Sequence, residues 1–260
     1  MKAILVTGGG SGIGRAVAQR FAAEGWRVGL ADIDQRGLAA TAALLPRDRT
    51  STHQMDVRDP AEWEHVLAEF AAISDGRLDV LFNNAGVAAG GAFGEIGVEA
   101  LDRVIDVNFR GVAYGARLAY PYLRATPGSC LLNTASASAI YGSSGLAVYS
   151  ATKFAVRGLT EALDGEWARE GIRVRSLMPG FIDTALLSAP VAGSNRTARE
   201  AVVAAGLEFT PVEVVAEQAW AAVQGDRLHT MVGPTARRLA FAARWLPGRL
   251  RRSMRRRVMR

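Results

Sequence analysis

The chain has 260 residues, 49% hydrophobic and 22% charged, a composition that suits one large folded domain and excludes an intrinsically disordered chain. Its single cysteine, Cys130, excludes an intramolecular disulfide and a cysteine-built zinc site, and three scattered histidines (His53, His65, His229) argue against any metal centre. The net charge of +6 has two parts: residues 236–260 carry ten arginines and no acid, which leaves 21 basic against 25 acidic residues elsewhere, a net of −4, so a nucleic-acid-binding main domain is not supported.

No run approaches the ~20 apolar residues of a membrane span, and the apolar stretch Ala3-Ile4-Leu5-Val6 is too short for a signal peptide. A soluble, cytoplasmic protein is the expectation.

In chain order, residues 3–7, 27–32, 50–55, 78–83, 129–135 and 172–178 read as strands, and 13–24, 60–73, 99–124 and 148–170 as helices. Strands such as Val80-Leu81-Phe82 are apolar throughout, which predicts burial on both faces of a parallel sheet. The alternation implies right-handed crossovers and a single doubly wound α/β domain over residues 1–235, with helices on both faces of the sheet. The Gly-rich stretch 86–97 reads as a loop, and 185–210 as a poorly periodic insertion suited to a substrate lid before a helix opened by Thr210-Pro211. Residues 236–260 form a separate basic helical tail.

The first strand runs into Thr7-Gly8-Gly9-Gly10-Ser11-Gly12-Ile13-Gly14 and then directly into a helix. Such a turn lets the backbone approach a pyrophosphate, whose charge rests on the helix N-terminal N–H groups. A glycine cluster alone also fits a plain tight turn. Here the second strand ends in Ala31-Asp32, 18 residues after Gly14, where a carboxylate can accept the ribose hydroxyls of an adenosine.

With these motifs in place the sequence resembles the classical branch of the short-chain dehydrogenase/reductase superfamily over roughly residues 1–233. The T-G-x3-G-x-G element matches that branch's cofactor signature, and the resemblance implies a Rossmann-type fold. Asn83-Asn84-Ala85-Gly86 matches the N-N-A-G element that supports the sheet and lines the adenosine side of the cofactor. Asp56-Val57 matches the pair that contacts the adenine. Pro179-Gly180-Phe181-Ile182-Asp183-Thr184 matches the segment in which Ile182 and Thr184 touch the nicotinamide carboxamide and the phosphates.

Asp32 would repel the 2′-phosphate of NADP while accepting hydroxyl protons from NAD, and the places where NADP-preferring relatives carry a base hold Ser11 and Ile33. NAD(H) is therefore expected, with NADP(H) as the alternative that Arg36 keeps open.

Tyr149 and Lys153 lie at i and i+4 of a helix and share a face, so phenol and ammonium can enter one pocket. A nearby ammonium favours phenolate and predicts a tyrosine pKa below its usual value near 10. Lys153 and Lys2 are the only lysines among 31 basic residues, which suggests that a compact ammonium is needed at 153. The resemblance assigns Ser136, 13 residues before Tyr149, to orienting the substrate oxygen, and Asn108 to distorting its helix and supporting a water that leads to Lys153. It implies hydride transfer at the nicotinamide while Tyr149 moves the proton and Lys153 also bonds the nicotinamide ribose.

Ser138, Ile140, Leu146, Phe181, Leu186 and Leu187, together with Ala88, Ala89 and Val191, make an apolar pocket; Ile140 and Leu146 fit the core equally well. With no lysine or arginine in 138–148 or 181–195, a neutral, bulky or apolar secondary alcohol or ketone is expected, not a polyanion. In the tail, Leu239, Ala243, Leu246, Leu250 and Met254 fall on one stripe, interrupted by Pro247-Gly248. That stripe suits weak contact with an anionic membrane surface, or docking on its own subunit or a neighbour, with a nucleic-acid arm third. Three functions stand: an NAD-dependent alcohol dehydrogenase or ketoreductase, an NADP-dependent reductase of 3-oxoacyl or steroid ketones, and a non-catalytic dinucleotide sensor. The resemblance implies a homotetramer or homodimer formed through its two long helices, here near residues 99–124 and 148–170, where Ala113, Ala116, Leu118, Ala155, Leu159 and Ala162 can meet a partner.

Overall fold

The computed structural model describes residues 1–188, 191–192, 197–204 and 206–256. Strand β1 (Ala3–Thr7) is buried along its whole length, as a strand must be when helices cover both faces of its sheet. It enters the glycine turn and then α1 (Gly12–Ala23), which buries Val17, Ala18, Phe21 and Ala22 at helical spacing. β2 (Arg27–Asp32), α2 (Gln35–Ala42) and β3 (Thr50–Gln54) complete the first half of the sheet. α2 is absent from the sequence reading because Leu38 is its only large buried apolar residue. Its start is set by the Asp34 carboxylate, which accepts from Arg36 N at 3.0 Å.

α3 (Pro60–Ile73) begins with an Asp59 cap and proline at its first position, and leads to β4 (Val80–Asn83). Within the expected loop 86–97 the two-residue strand β5 (Gly90–Gly91) forms. The helix expected over 99–124 is in fact α4 (Val98–Ile105), a π-helical turn (Asp106–Arg110) and α5 (Gly111–Ala125). β6 (Cys130–Thr134) and α6 (Ala147–Trp167) follow. Next comes β7 (Arg173–Pro179).

The 185–210 insertion carries more order than its pattern suggests. After β8 (Phe181–Ile182), its described residues form a 3-10 turn at Ala185–Ser188, β9 (Val191–Ala192), α7 (Ala198–Ala204) and β10 (Phe209–Thr210). α8 (Val212–Gln224), β11 (His229–Val232), α9 (Pro234–Trp245) and α10 (Pro247–Arg256) close the chain, α9 and α10 meeting at Pro247.

The main sheet has seven parallel strands in the order β3-β2-β1-β4-β6-β7-β11, a doubly wound Rossmann-type topology. One face packs on α1 and α8 through Phe21, Trp26 and Trp220, whose rings meet edge-on at 5.0–5.8 Å between centroids. The other face packs on α3, α5 and α6 through Trp63, Phe70, Leu123 and Trp167. The order in which strands are added reverses between β1 and β4, so the carboxyl ends of these parallel strands open a crevice there. β5 pairs with β9, which draws the insertion across to the loop that follows β4.

Candidate active site

The glycine turn sits at that crevice. Gly8 and Gly12 adopt φ of +66° and +50°. A side chain at Gly14 would drive into the Gly8 carbonyl and the Asn84 side chain. Close passage of backbone is what the sequence demands here, and the cradle it forms fits a diphosphate. Ser11 stands at the helix start but makes no side-chain cap, so it does not occupy the first-turn N–H groups of α1. Ile13 is half-buried against the core.

Asp32 Oδ2 accepts from Gly10 N at 2.9 Å, which ties the end of β2 to the turn. Ile33 beside it is 62% exposed and offers an apolar rim. Arg15, not anticipated from the sequence, braces the turn from below, donating to Gly10 O at 2.6 Å and Thr41 Oγ1 at 2.9 Å. Val57 is buried. The Asp56 carboxylate is engaged by Arg58 through Nε at 2.9 and 3.0 Å and Nη2 at 2.5 Å, and the Arg58 guanidinium holds its pKa below the usual range.

Thr7 links β1 to the N-N-A-G element: its hydroxyl accepts from Asn84 N at 2.9 Å and Ala85 N at 3.1 Å. Asn84 Nδ2 donates back to Thr7 O at 3.0 Å, and Asn84 Oδ1 accepts from Thr134 Oγ1 at 3.3 Å. On the far side Gly180 packs toward Thr235, Ile182 is buried in the core, and Thr184 lies against Gly12, its Cγ2 3.1 Å from where a Cβ would stand. The Pro179–Thr184 segment therefore reaches the glycine turn.

Four side chains gather above the sheet. The Ser136 hydroxyl lies near enough to the Tyr149 phenol to favour its ionised form, and it accepts from Ser138 N at 3.1 Å. Lys153 is 3% exposed, and its Nζ donates to Thr134 O at 2.8 Å and lies 5.6 Å from the Tyr149 ring centroid. Asn108 is fully buried at the π-helical turn, with Oδ1 accepting from Val87 N at 2.8 Å and Nδ2 donating to Val87 O at 2.9 Å. Gly86 lies between the two: a Cβ there would stand 3.3 Å from Asn108 Oδ1 and 3.7 Å from Lys153 Nζ. The helix is wound wide where Asn108 is turned inward to hold the Val87 peptide.

The electrostatics depart from the lysine-only argument. Burial lowers Lys153 to about 8, because a desolvated ammonium with one carbonyl partner is poorly supported. Burial likewise pushes Tyr149 above its ordinary value, opposed by the nearby Ser136 hydroxyl. The expected depression of the phenol is thus absent from the protein by itself, since the ammonium is aimed at Thr134 O.

A buried polar chain that sequence reasoning missed supports this cluster. Asn83 Nδ2 donates to Asn133 Oδ1 at 3.1 Å, and Asn133 Nδ2 to Thr160 Oγ1 at 3.1 Å, joining β4 and β6 to α6 two turns beyond Lys153. The paired asparagines at adjacent strand ends were its only sequence signal.

Of the pocket residues, Ser138 is buried, with its hydroxyl 3.4 Å from Ser143 Oγ. Ile140 packs against the core cluster of Val112, Ala135, Val156 and Met178. Leu146 abuts Gly90, and Phe181, Leu186 and Leu187 are half-buried in β8 and the 3-10 turn that follows it. The Val191 side chain lies outside the described residues. Of the tail's stripe Leu250 is buried, Leu239, Ala243 and Met254 are half-buried and Leu246 is exposed, and Ser144 Oγ donates to Met254 O at 2.9 Å. Among the described residues no helix is long and apolar enough to cross a membrane.

The chain is similar to known proteins in sequence and in fold. Meso-2,3-butanediol dehydrogenase of Serratia marcescens is 39% identical over 183 residues, 70% of this chain and 72% of that one. A short-chain dehydrogenase/reductase of Burkholderia phymatum, solved in complex with NAD, superposes with a TM-score of 0.85 at 27% identity, covering 97% of this chain and 95% of its own. The 3-ketoacyl-(acyl-carrier-protein) reductase of Brucella melitensis, complexed with NADH, gives 0.79 at 28% identity over 90% of this chain and 98% of that chain. The short chain dehydrogenase family profile matches residues 2–193, and the chain belongs to that family of oxidoreductases.

Proposed function

We propose that the protein interconverts a neutral secondary alcohol and its ketone, with NAD(H) as coenzyme and NADP(H) as the alternative. The observation that carries this reading is the buried Lys153, its Nζ 5.6 Å from the Tyr149 ring centroid and bonded to Thr134 O, with Ser136 near the phenol, all next to the glycine cradle. The cradle and the Asp32 edge would hold the dinucleotide, with Asp56 and Val57 toward the adenine and Ile182 and Thr184 toward the nicotinamide. When bound, the nicotinamide supplies the hydride acceptor or donor. Ser136 orients the substrate oxygen, and Tyr149 takes the hydroxyl proton in oxidation or returns it in reduction. Lys153 would hydrogen-bond the nicotinamide ribose of a bound coenzyme and, with the coenzyme in place, would favour the phenolate. Asn108 keeps the Val87 peptide in place beside it.

The substrate walls are Ser138, Leu146, Phe181, Leu186 and Leu187, apart from one hydroxyl all apolar, which supports an uncharged substrate. The butanediol dehydrogenase relative supports small vicinal diols and hydroxyketones as the first to try. Assays of neutral diols, alcohols and ketones with each coenzyme, followed by nicotinamide absorbance, test the proposal. Turnover with members of this panel is expected; turnover confined to anionic substrates, or none with either coenzyme, overturns it.

Assembly follows from the same helices. A groove between α5 and α6, lined by Ala113, Ala116, Tyr120, Leu159, Leu163 and Trp167, and the exposed Phe154 on α6 suit a second copy in two-fold contact. Light scattering at micromolar concentration is expected to give a dimer or tetramer mass; a monomer mass refutes it.

A further inference from the structure

The tail buries Leu250 of its apolar stripe, half-buries Leu239, Ala243 and Met254, and leaves a second face outward. On α9, Arg237, Arg238, Phe241, Arg244 and Trp245 are exposed at i, i+1, i+4, i+7 and i+8, one side of the helix, while Ala236 is fully buried on the other. Phe241 is 60% and Trp245 63% exposed, with Leu246 beside them at 37%, and the Arg244 guanidinium lies 5.1 Å from the Trp245 ring centroid. α10 adds exposed Arg249, Arg251, Arg252 and Arg255. Two large aromatics held in water by a helix that already has its own buried side are unexplained by folding.

We propose that this face of the α9–α10 pair docks on an anionic lipid bilayer. Trp and Phe fit the boundary between headgroups and acyl chains, and the surrounding guanidiniums fit lipid phosphates. Charge sets the choice of occupant. Residues 236–260 carry ten arginines and no acid, so a two-fold contact between copies through this face would oppose like charges. The aromatics need an apolar medium that the phosphate backbone of a nucleic acid does not provide. The docked helix pair also touches the catalytic region: Met254 O accepts from Ser144, five residues before Tyr149.

Co-sedimentation of the full chain with vesicles of phosphatidylcholine, alone or mixed with phosphatidylglycerol, is the test. Binding is expected only to the mixed vesicles and is expected to weaken as salt rises. The Phe241→Ser/Trp245→Ser and Arg237→Gln/Arg238→Gln pairs should each bind at least about tenfold less, with circular dichroism melting curves matching the wild type. The arginine pair alone decides the matter where the aromatic pair alters folding. No vesicle binding, equal binding to neutral vesicles, or a fall in solution mass for Phe241→Ser/Trp245→Ser would overturn the proposal, the last by making the face a contact between copies. Binding to duplex DNA with vesicles left unbound would overturn it as well.

Discussion

Asp32 holds Gly10: its Oδ2 accepts from the Gly10 amide at 2.9 Å while its Oδ1 accepts from the Asp34 amide at 3.0 Å. The same carboxylate thus shapes the glycine turn and, on the proposed coenzyme reading, would set negative charge against a 2′-phosphate. Asp32→Asn keeps one acceptor, for Gly10, gives up the bond from the Asp34 amide and removes the charge, so it leaves the tie to the glycine turn while testing the repulsion. The NAD-over-NADP preference in kcat/KM should fall at least about tenfold in Asp32→Asn, chiefly through better use of NADP, because a close charge repulsion of even 1.4 kcal/mol is a factor of ten. An unchanged preference would mean that Asp32 shapes the loop only.

Tyr149→Phe tests the proton-transfer group. It deletes one oxygen, leaving the ring and the glycine cradle in place. Turnover should drop about 10²–10⁴-fold, the range of a general acid–base group, while coenzyme affinity by fluorescence titration changes little. Near wild-type turnover would require another proton carrier.

Gly91→Ala tests the bridge between the insertion and the site. Gly91 has φ of +134°, and a Cβ there would meet Ala192 O at 2.5 Å across the β5–β9 pair. Backbone strain of about 1–3 kcal/mol should break this pairing, because alanine does not tolerate that conformation. Gly90→Ala is the control, its added methyl meeting only ordinary contacts at 3.5 Å with Gly145 O and Leu146 Cδ2. KM for the alcohol should rise several-fold in Gly91→Ala and stay near wild type in Gly90→Ala, and equal effects in both would remove the bridge from the argument.

Local pattern explains which of these features the sequence discloses. Tyr149 and Lys153 are legible because four residues on a helix bring them to one face, and the glycine turn because strand, glycines and helix follow without interruption. The Asn108–Val87 pairing spans 21 residues and depends on a π-helical turn that no spacing announces. β11 has only His229-Thr230-Met231-Val232, too short and too polar at its start to stand out from a loop. α2 and α7 lack the apolar stripe that marks a helix, their starts being set by the Asp34 cap and by the reciprocal Thr197–Glu200 hydrogen bonds. The pKa direction of Tyr149 was illegible for a different reason: it depends on how deeply the pair is buried and on which carbonyl takes the ammonium, both tertiary facts.

Lys153 gives a stability signature independent of turnover. Its ammonium has an ordinary pKa of 10.5, lowered in the folded protein to about 8 by burial. Below pH 8 both folded and unfolded chains are protonated, and the native state carries the whole cost of enclosing a cation. Between about pH 8 and 10.5 the unfolded chain binds a proton that the folded chain has released, so stability from this group rises with pH across that window. Lys153→Met keeps the length of the side chain and removes the charge, at the loss of the hydrogen bond to Thr134 O. At pH 7 the variant should therefore be more stable than wild type by about 1–3 kcal/mol in urea unfolding without coenzyme, although it is expected to be inactive. The difference should shrink as pH rises to 10, because the wild type sheds its buried charge while the variant has none to shed. Subtracting the two curves cancels titration of groups that they share. A variant less stable than wild type at pH 7, with a gap that does not change to pH 10, would show that the ammonium is well supported in the folded protein, and the burial argument for Lys153 would be wrong.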